Sequence, residues 1–180
     1  MASLVEELQQ DALNDRVKVS DLLRKAKAIA HKLNLPELAN WVEDELNGYP
    51  NDREVPNYRL LSGQIKGHNP FHGWQPVIFS DLKTEKIMST VPNGQRVAEI
   101  EDLIARSKGK SGQLMHSLSG SQKKMLMQSV GQNMDFTIML DVSGLVGILD
   151  AVRNALLDWS LKLETSRDIG RRNVLFDRRA

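Results

Sequence analysis

Residues 143–163 read Ser-Gly-Leu-Val-Gly-Ile-Leu-Asp-Ala-Val-Arg-Asn-Ala-Leu-Leu-Asp-Trp-Ser-Leu-Lys-Leu, and they carry the most regular hydrophobic pattern of the chain. Large apolar residues recur there at alternating spacings of four and three, namely Leu145, Leu149, Val152, Leu156, Trp159 and Leu163. This spacing predicts a long amphipathic helix with Ser143 as its N-cap. Because the pattern spans barely three heptads, we expect this apolar seam to pack in the core of the molecule, although pairing with a second helix stays open.

The other side of this predicted helix is polar. Asp150, Arg153, Asn154 and Asp158 lie on it, and together they form a candidate polar binding face. An exposed, solvated helix face is the simpler interpretation, because surface helices commonly carry such residues.

The N-terminal third predicts three helices. Ser3 and Glu6 have the spacing of a capping box, Ser20 and Asp21 open a second amphipathic stretch, and Pro36 stands at the start of a third. Gly48 is a natural helix stop. The short connections between these stretches predict that the helices are neighbours.

The middle of the chain predicts a small sheet. Strand propensity appears at about 58–65, 75–79 and 134–140, with Val77-Ile-Phe79 expected to be a short buried strand. A helix is expected at 95–105, and residues 113–131 are weakly helical in pattern. The predicted fold class is therefore α+β: a predominantly helical single domain with an N-terminal three-helix unit, a small β-sheet and a long C-terminal helix.

Length and composition indicate an ordinary globular protein. The chain has 180 residues, a formal net charge of +1 and no cysteine. It contains neither a signal-peptide pattern nor an apolar run long enough to cross a membrane, so we expect a cytoplasmic protein with no membrane partner. We expect one domain at 1–164, followed by a flexible basic tail at 165–180.

The segment Gly67–Val77 is the least probable by composition, since it combines Phe71 and Trp74 with two histidines and two prolines. Large apolar rings are costly to expose, so we expect both rings to be buried and Asn69 or His72 to bond the loop backbone. If the fold does not need this loop, a partner does, which makes Asn69, Phe71, His72 and Trp74 a candidate interaction loop.

No residue pattern specifies a reaction. His68 and His72 are four apart, but Pro70 and Gly73 argue against the helix that would turn this spacing into a metal site. Gly109-Lys-Ser lacks the first glycine of a phosphate-binding loop. The acidic runs, such as Glu43-Asp-Glu45, are typical of solvated helix faces. We therefore expect no catalytic residues, no metal and no cofactor, and an enzyme is not favoured.

Several segments nevertheless resemble one family along residues 2–164, and in the same order. They are Ser3-Leu-Val-Glu-Glu-Leu-Gln, Val19-Ser-Asp-Leu-Leu-Arg-Lys-Ala, Leu46-Asn-Gly-Tyr-Pro, Val55-Pro-Asn-Tyr-Arg, Asn69-Pro-Phe-His-Gly-Trp-Gln-Pro-Val and Gly147–Glu164. They are similar to the AbiTii-like domain of bacterial abortive-infection proteins. The chain departs from the family after its last helix, where it reads Arg167-Asp-Ile-Gly-Arg-Arg in place of a Gly-Ile-x-Gly-like continuation.

This resemblance implies a part in phage defence. The function expected first is a non-catalytic sensing, assembly or toxin-partner module of a toxin–antitoxin-like system, which binds a protein partner or a further defence component. Weak self-association is expected separately, through the open flank of the long C-terminal helix beside Ile148 and Ala155. The alternative is a toxin that acts directly on nucleic acid through a cryptic catalytic site. A third hypothesis is that the domain mainly oligomerises a larger protein.

Nucleic-acid binding distinguishes the first two hypotheses. We expect the purified chain to bind DNA or RNA weakly at physiological salt, because its net charge is near zero. Any binding should depend on the arginines after Glu164, so mobility shifts are compared before and after deletion of 165–180. Tight binding that survives this deletion would favour the nucleic-acid toxin.

Overall fold

The computed structural model describes residues 4–50, 52–107 and 112–177, with 166–177 as backbone only. The elements are α1 (Leu4–Ala12), α2 (Val19–Lys32), α3 (Pro36–Asn47), a 3-10 turn (Asn57–Arg59), β1 (Leu60–Asn69), β2 (Gly73–Pro76), α4 (Leu82–Ser89), β3 (Thr90–Pro92), α5 (Val97–Ser107), β4 (Gln113–Ser117), α6 (Gly120–Val130), β5 (Phe136–Asp141) and α7 (Val142–Asp177). The α+β class is confirmed, with the N-terminal helices, the small sheet and the long C-terminal helix all present.

The chain forms two compact units. The helical unit combines Met1–Arg53, Gln95–Asp102 and Leu149–Ala180, and the sheet unit combines Glu54–Gly94 and Leu103–Ile148. Nothing in the sequence pattern indicates this division, because both units are built from separated segments. The predicted boundary at 164 lies within the backbone of α7, which is helical to Asp177.

In the helical unit, α2 packs against both α1 and α3, as the short connections predict. Its core is made of buried aliphatic side chains, which include Val5, Leu8, Leu22, Leu23, Ala26, Ile29, Leu38, Val42, Val97, Ile100, Val152 and Leu156. Pro36 begins α3, and Gly48 ends it with a φ of +90°. The capping box predicted at Ser3 lies outside the described residues.

The buried side of α7 differs from the predicted seam. Leu145, Ile148, Val152, Leu156 and Ser160 are at most 1% exposed, whereas Leu149, Trp159 and Leu163 are half-buried. The predicted seam contains only large apolar residues, so it does not include Ser160. A small polar residue enters the buried stripe because the Ser160 hydroxyl donates to the Leu157 carbonyl at 2.7 Å and so keeps a hydrogen-bond partner.

The start of α7 also differs from the prediction. Asp141, and not Ser143, supplies the cap: its Oδ1 accepts from the Ser143 backbone N–H at 2.7 Å. The hydrogen bond from the Ser143 hydroxyl, and next to it this backbone bond, hold the pKa of the Asp141 carboxyl below its usual value.

In the sheet unit, all strand pairs are antiparallel. The strand order is β2-β1-β5-β4, and β3 also pairs with β1. Three strands were predicted. The structure adds β3 and β4, and the prediction of a helix over 113–131 holds only for α6, which begins at the capping box of Ser119 and Gln122.

Helix α4 was not predicted. Its N-cap is Asp81, whose side chain accepts from the Lys83 and Thr84 amides and from the Thr84 hydroxyl. These bonds hold the pKa of the Asp81 carboxyl below its usual value, the Thr84 bonds most. Leu82 and Ile87 face solvent, and Met88 is the one apolar residue of α4 that is buried, so the segment lacks the buried stripe from which helices are recognised.

Two glycines let β1 and β5 lie close together. A Cβ at Gly63 would stand 2.4 Å from Ile138 Cγ2 and 2.8 Å from the Met139 carbonyl oxygen, and one at Gly67 would meet Met134 Sδ at 2.9 Å. The space above these glycines is therefore filled by β5 and the residues just before it. A side chain at 63 is incompatible with this packing, and one at 67 would displace the Met134 side chain.

We expect Gly63→Ala to lower the free energy of unfolding by about 1–3 kcal/mol, because the Met139 backbone cannot move aside as a flexible side chain would. Gly147→Ala is the matched control. It lies on α7 with no heavy atom within 4 Å of the added Cβ, so it should stabilise by about 0.5–1 kcal/mol through helix propensity. Urea denaturation measures both, and a neutral Gly63→Ala would contradict the packing of β5 on β1.

Candidate functional site

The predicted interaction loop is a β-hairpin. Asn69, the last residue of β1, pairs with Gly73, the first residue of β2, and His68 pairs with Trp74. Only Pro70, Phe71 and His72 lie between the strands. We call Asn69–Trp74 the hairpin tip.

Local hydrogen bonds fix the backbone of the hairpin tip. Asn69 Oδ1 accepts from the backbone N–H groups of Phe71 at 2.8 Å and His72 at 3.2 Å, which confirms that the Asn69 side chain bonds the loop backbone. Gln75 Nε2 donates to the His72 carbonyl at 2.8 Å. Gly73 has a φ of +70°, a conformation that glycine adopts without a steric penalty. The tip is thus held by its own side chains.

The two aromatic rings have different environments. Phe71 is 90% exposed, so the prediction that it is buried is wrong. It is the middle residue of the turn and lies beyond the last paired residues of both strands. Trp74 is half-buried, and its ring stands edge-on to His68 with centroids 5.1 Å apart at 67°. The tip therefore presents one apolar ring to solvent on a fixed backbone.

More apolar surface follows the hairpin tip in sequence. Ile78 is 93% exposed, Leu82 81% and Ile87 74%. Val77-Ile-Phe79 follows β2 as irregular backbone, so its prediction as a buried strand is wrong. Among the described residues, five large apolar side chains are 74% or more exposed, and all but Leu13 lie between Phe71 and Ile87. We call Phe71–Ile87 the exposed apolar segment.

The candidate polar face of α7 does not act as one group. Asp150, Asn154 and Asp158 are exposed, as the simpler interpretation predicts. Arg153 instead reaches the C-terminal end of α1. Its Nη1 donates to the carbonyls of Ala12 at 3.2 Å and Asn14 at 2.9 Å and lies 3.4 Å from that of Asp11.

The second arm of Arg153, Nη2, donates to the Val17 carbonyl in the connection that leads to α2. The last carbonyls of a helix have no partner within it and carry partial negative charge, so a guanidinium is well matched to them. Arg153 is therefore a structural residue of the helical unit, because both of its terminal nitrogens donate to backbone carbonyls.

The burial of two charged residues, Glu45 and Arg59, was not predicted from the sequence. Glu45, interpreted from sequence as part of a solvated face, is 0% exposed, and its Oε1 accepts from the Tyr49 hydroxyl at 2.8 Å. In the sheet unit, Arg59 is also 0% exposed, and its Nη1 donates to the Asn93 carbonyl at 3.1 Å. Helix periodicity places residue 45 beside Leu38 and Val42, and this was the available signal for Glu45.

The ionisable residues do not form a metal-binding cluster in the described part of the chain. No three His, Asp or Glu side chains there come together as metal ligands. His68 contacts Trp74, and His72 lies on the exposed turn. Nor is any helix within 4–50, 52–107 and 112–177 long and apolar enough to cross a membrane.

We expect Arg153→Met to lower the free energy of unfolding by about 1.5–3 kcal/mol, since hydrogen bonds from a charged donor to several carbonyls are lost. Arg153→Lys should recover only part of this, because an ammonium lacks the two-armed geometry of the guanidinium. Asn154→Ala, the exposed neighbour, should stay within about 0.5 kcal/mol of the parent. Equal urea midpoints for Arg153→Met and Asn154→Ala would contradict the structural role.

Comparison with known proteins addresses the family. The AbiTii family model matches residues 3–179. No significant match is found among curated proteins or among solved structures. The matched range extends beyond the resemblance read from residues 2–164 and includes most of the predicted basic tail. Because the model covers nearly the whole sequence, this chain belongs to the AbiTii family.

Proposed function

We propose that this chain is a non-catalytic sensing, assembly or toxin-partner module of antiphage defence, and that it binds another protein through the exposed apolar segment Phe71–Ile87. Its membership of the AbiTii family associates it with abortive-infection defence. The finer proposal rests mainly on one observation, the concentration of strongly exposed apolar side chains in this segment.

Exposed aromatic and aliphatic residues support a protein contact when the backbone that carries them is already ordered. The hydrogen bonds of Asn69 and Gln75 hold the turn, so Phe71 can be bound with little loss of backbone entropy. Aromatic side chains are also enriched among the residues that dominate binding energy at interfaces. We therefore place Phe71 at the centre of the proposed contact, with Asn69, His72 and Trp74 as its support.

The charges of α4 define the chemistry of the partner. Lys83 and Lys86 are exposed between Leu82 and Ile87, and neither forms an ion pair with another described residue. Because Asp81 and Glu85 lie beside these lysines, the surface combines aliphatic side chains with charges of both signs, and it favours a partner with apolar residues and with charged residues of both signs. We propose such a protein in the cytoplasm, where an abortive-infection system meets phage components.

The alternative, a toxin acting directly on nucleic acid, predicts a different dependence. It needs a reactive site and a basic binding surface. Its activity would survive changes in the exposed apolar segment, whereas partner recognition would not.

We expect Phe71→Ala to leave the free energy of unfolding within about 0.5 kcal/mol of the parent, because an exposed side chain makes few contacts. The same variant should reduce phage protection at least about tenfold, since losing a central interface aromatic commonly costs more than 1.4 kcal/mol of binding. Phage plating on cells that carry the chain with its neighbouring genes measures protection, and urea denaturation measures stability.

Leu13→Ala is the matched control. Leu13 is 74% exposed, but it follows α1 in the helical unit, so its loss should leave protection unchanged. Full protection by Phe71→Ala together with Ile87→Ser would contradict the proposed contact. If Leu13→Ala reduced protection to the same degree, the effect would not be specific to the exposed apolar segment, and this would also contradict the proposed contact.

A further inference from the structure

Among the residues that the structure describes, the sheet has one edge strand that lacks the usual protection. Edge strands expose unpaired backbone groups, and natural proteins shield them by shortness, proline or charge. Strands β2 and β3 have four and three residues and end at Pro76 and Pro92. Strand β4 has five residues, Gln-Leu-Met-His-Ser, with neither proline nor a charged Asp, Glu, Lys or Arg.

The register identifies which groups of β4 point outward. The Val142 N–H donates to the Gly112 carbonyl at 2.8 Å, so residues 112 and 142 form a hydrogen-bonded pair. Pairs of this kind alternate along an antiparallel ladder. With Leu114 opposite Leu140 and His116 opposite Ile138, those two residues of β4 bond β5. The N–H and C=O groups of Gln113, Met115 and Ser117 therefore point away from β5, toward the free edge.

We propose that this edge pairs with β4 of a second copy of the chain, antiparallel and centred on Met115. The outward-pointing positions 113, 115 and 117 are symmetric about Met115. A two-fold axis at Met115 would place Met115 opposite its own copy and Gln113 opposite Ser117, so every outward donor meets an outward acceptor. Three such pairs would form about six backbone hydrogen bonds, two in each pair.

The side chains of β4 also suit a second copy. Within the strand no like charges would meet, because β4 carries no acidic or basic side chain apart from His116, which would stand opposite Leu114. Met115 is 59% exposed, and in the pair it would pack against the Met115 of the other copy. The two sheets would join edge to edge, a closed two-fold contact that stops at two copies.

This contact is small, so we expect a monomer–dimer equilibrium with a dissociation constant of roughly 10 µM to 1 mM. Light scattering over a concentration series measures it on the full chain. Met115→Lys and Met115→Glu should each weaken association at least about tenfold, because two like charges would stand directly opposite each other. An equimolar mixture of the two variants should restore dimers to within about threefold of the parent, since lysine then faces glutamate.

Met115→Pro tests the backbone pairing itself. The Met115 N–H points to the free edge, so proline removes an outward donor while the ladder with β5 stays intact. This variant should remain folded by circular dichroism and lose the dimer. Met115→Leu, which keeps both the N–H and an apolar side chain, should dimerise like the parent.

A cysteine placed at the proposed axis gives an independent test, because the chain has no cysteine of its own. Directly opposite residues of a hydrogen-bonded pair have Cα atoms about 5.5 Å apart, within the range of a disulfide. Met115→Cys should therefore cross-link under mild oxidation, whereas Met125→Cys, at a methionine of α6 that is 49% exposed, should not. The proposal is overturned if the parent chain stays monomeric over the concentration series. It is also overturned if the weight-average mass of Met115→Lys rises with concentration as that of the parent does, or if both cysteine variants cross-link equally.

Discussion

The close approach of β1 and β5 is the constraint on which the sheet unit depends. β1 pairs with β2, β3 and β5, so each of those strands takes its register from it. Gly63 and Gly67 leave space that Ile138, Leu140 and Met134 fill. The hairpin tip and the outer edge of β4 both depend on this packing. The hairpin tip extends from one end of β1, and β4 pairs with the side of β5 that faces away from β1.

The helical unit depends on a different kind of contact. Its core is aliphatic, but Arg153 joins α7 to the end of α1 through backbone carbonyls. Carbonyls at a helix end must find donors, and here one side chain supplies several. A polar residue that looks available for binding in a helical pattern is thereby committed to the fold. Asp150, Asn154 and Asp158 remain on the exposed surface of the same helix.

The sequence predicts those elements whose apolar residues face inward. The long helix, the three N-terminal helices and two of the strand regions were recognisable because their buried side chains repeat with the period of a helix or a strand. Helix α4 and strand β4 were not predicted. Their apolar residues Leu82, Ile87 and Met115 point to solvent, so these segments do not show the repeat of buried side chains from which a helix or a strand is predicted. For the candidate site, Asn69 was correctly expected to bond the loop backbone, but the exposure of Phe71 was not predictable. Composition shows that a ring is present, and only the neighbouring elements determine whether anything covers it.

Glu45 and Ser160 are polar residues that the structure buries. Such side chains enter the interior when a nearby hydroxyl or carbonyl forms a hydrogen bond with them, and a hydrophobic pattern does not show this.

The order of the strands along the chain also has a consequence for synthesis on the ribosome. The β1–β2 hairpin closes through a three-residue turn, so it can form within microseconds once Pro76 has emerged. The β5 partner of β1 begins only at Phe136, which at ordinary rates of translation follows roughly 3–12 s later. During this interval the edge of β1 that will pair with β5 has no partner strand. Gly63 and Gly67 have no side chains that would shield this part of β1. The nascent chain is therefore most vulnerable to misassociation between the completion of the hairpin and the arrival of β5.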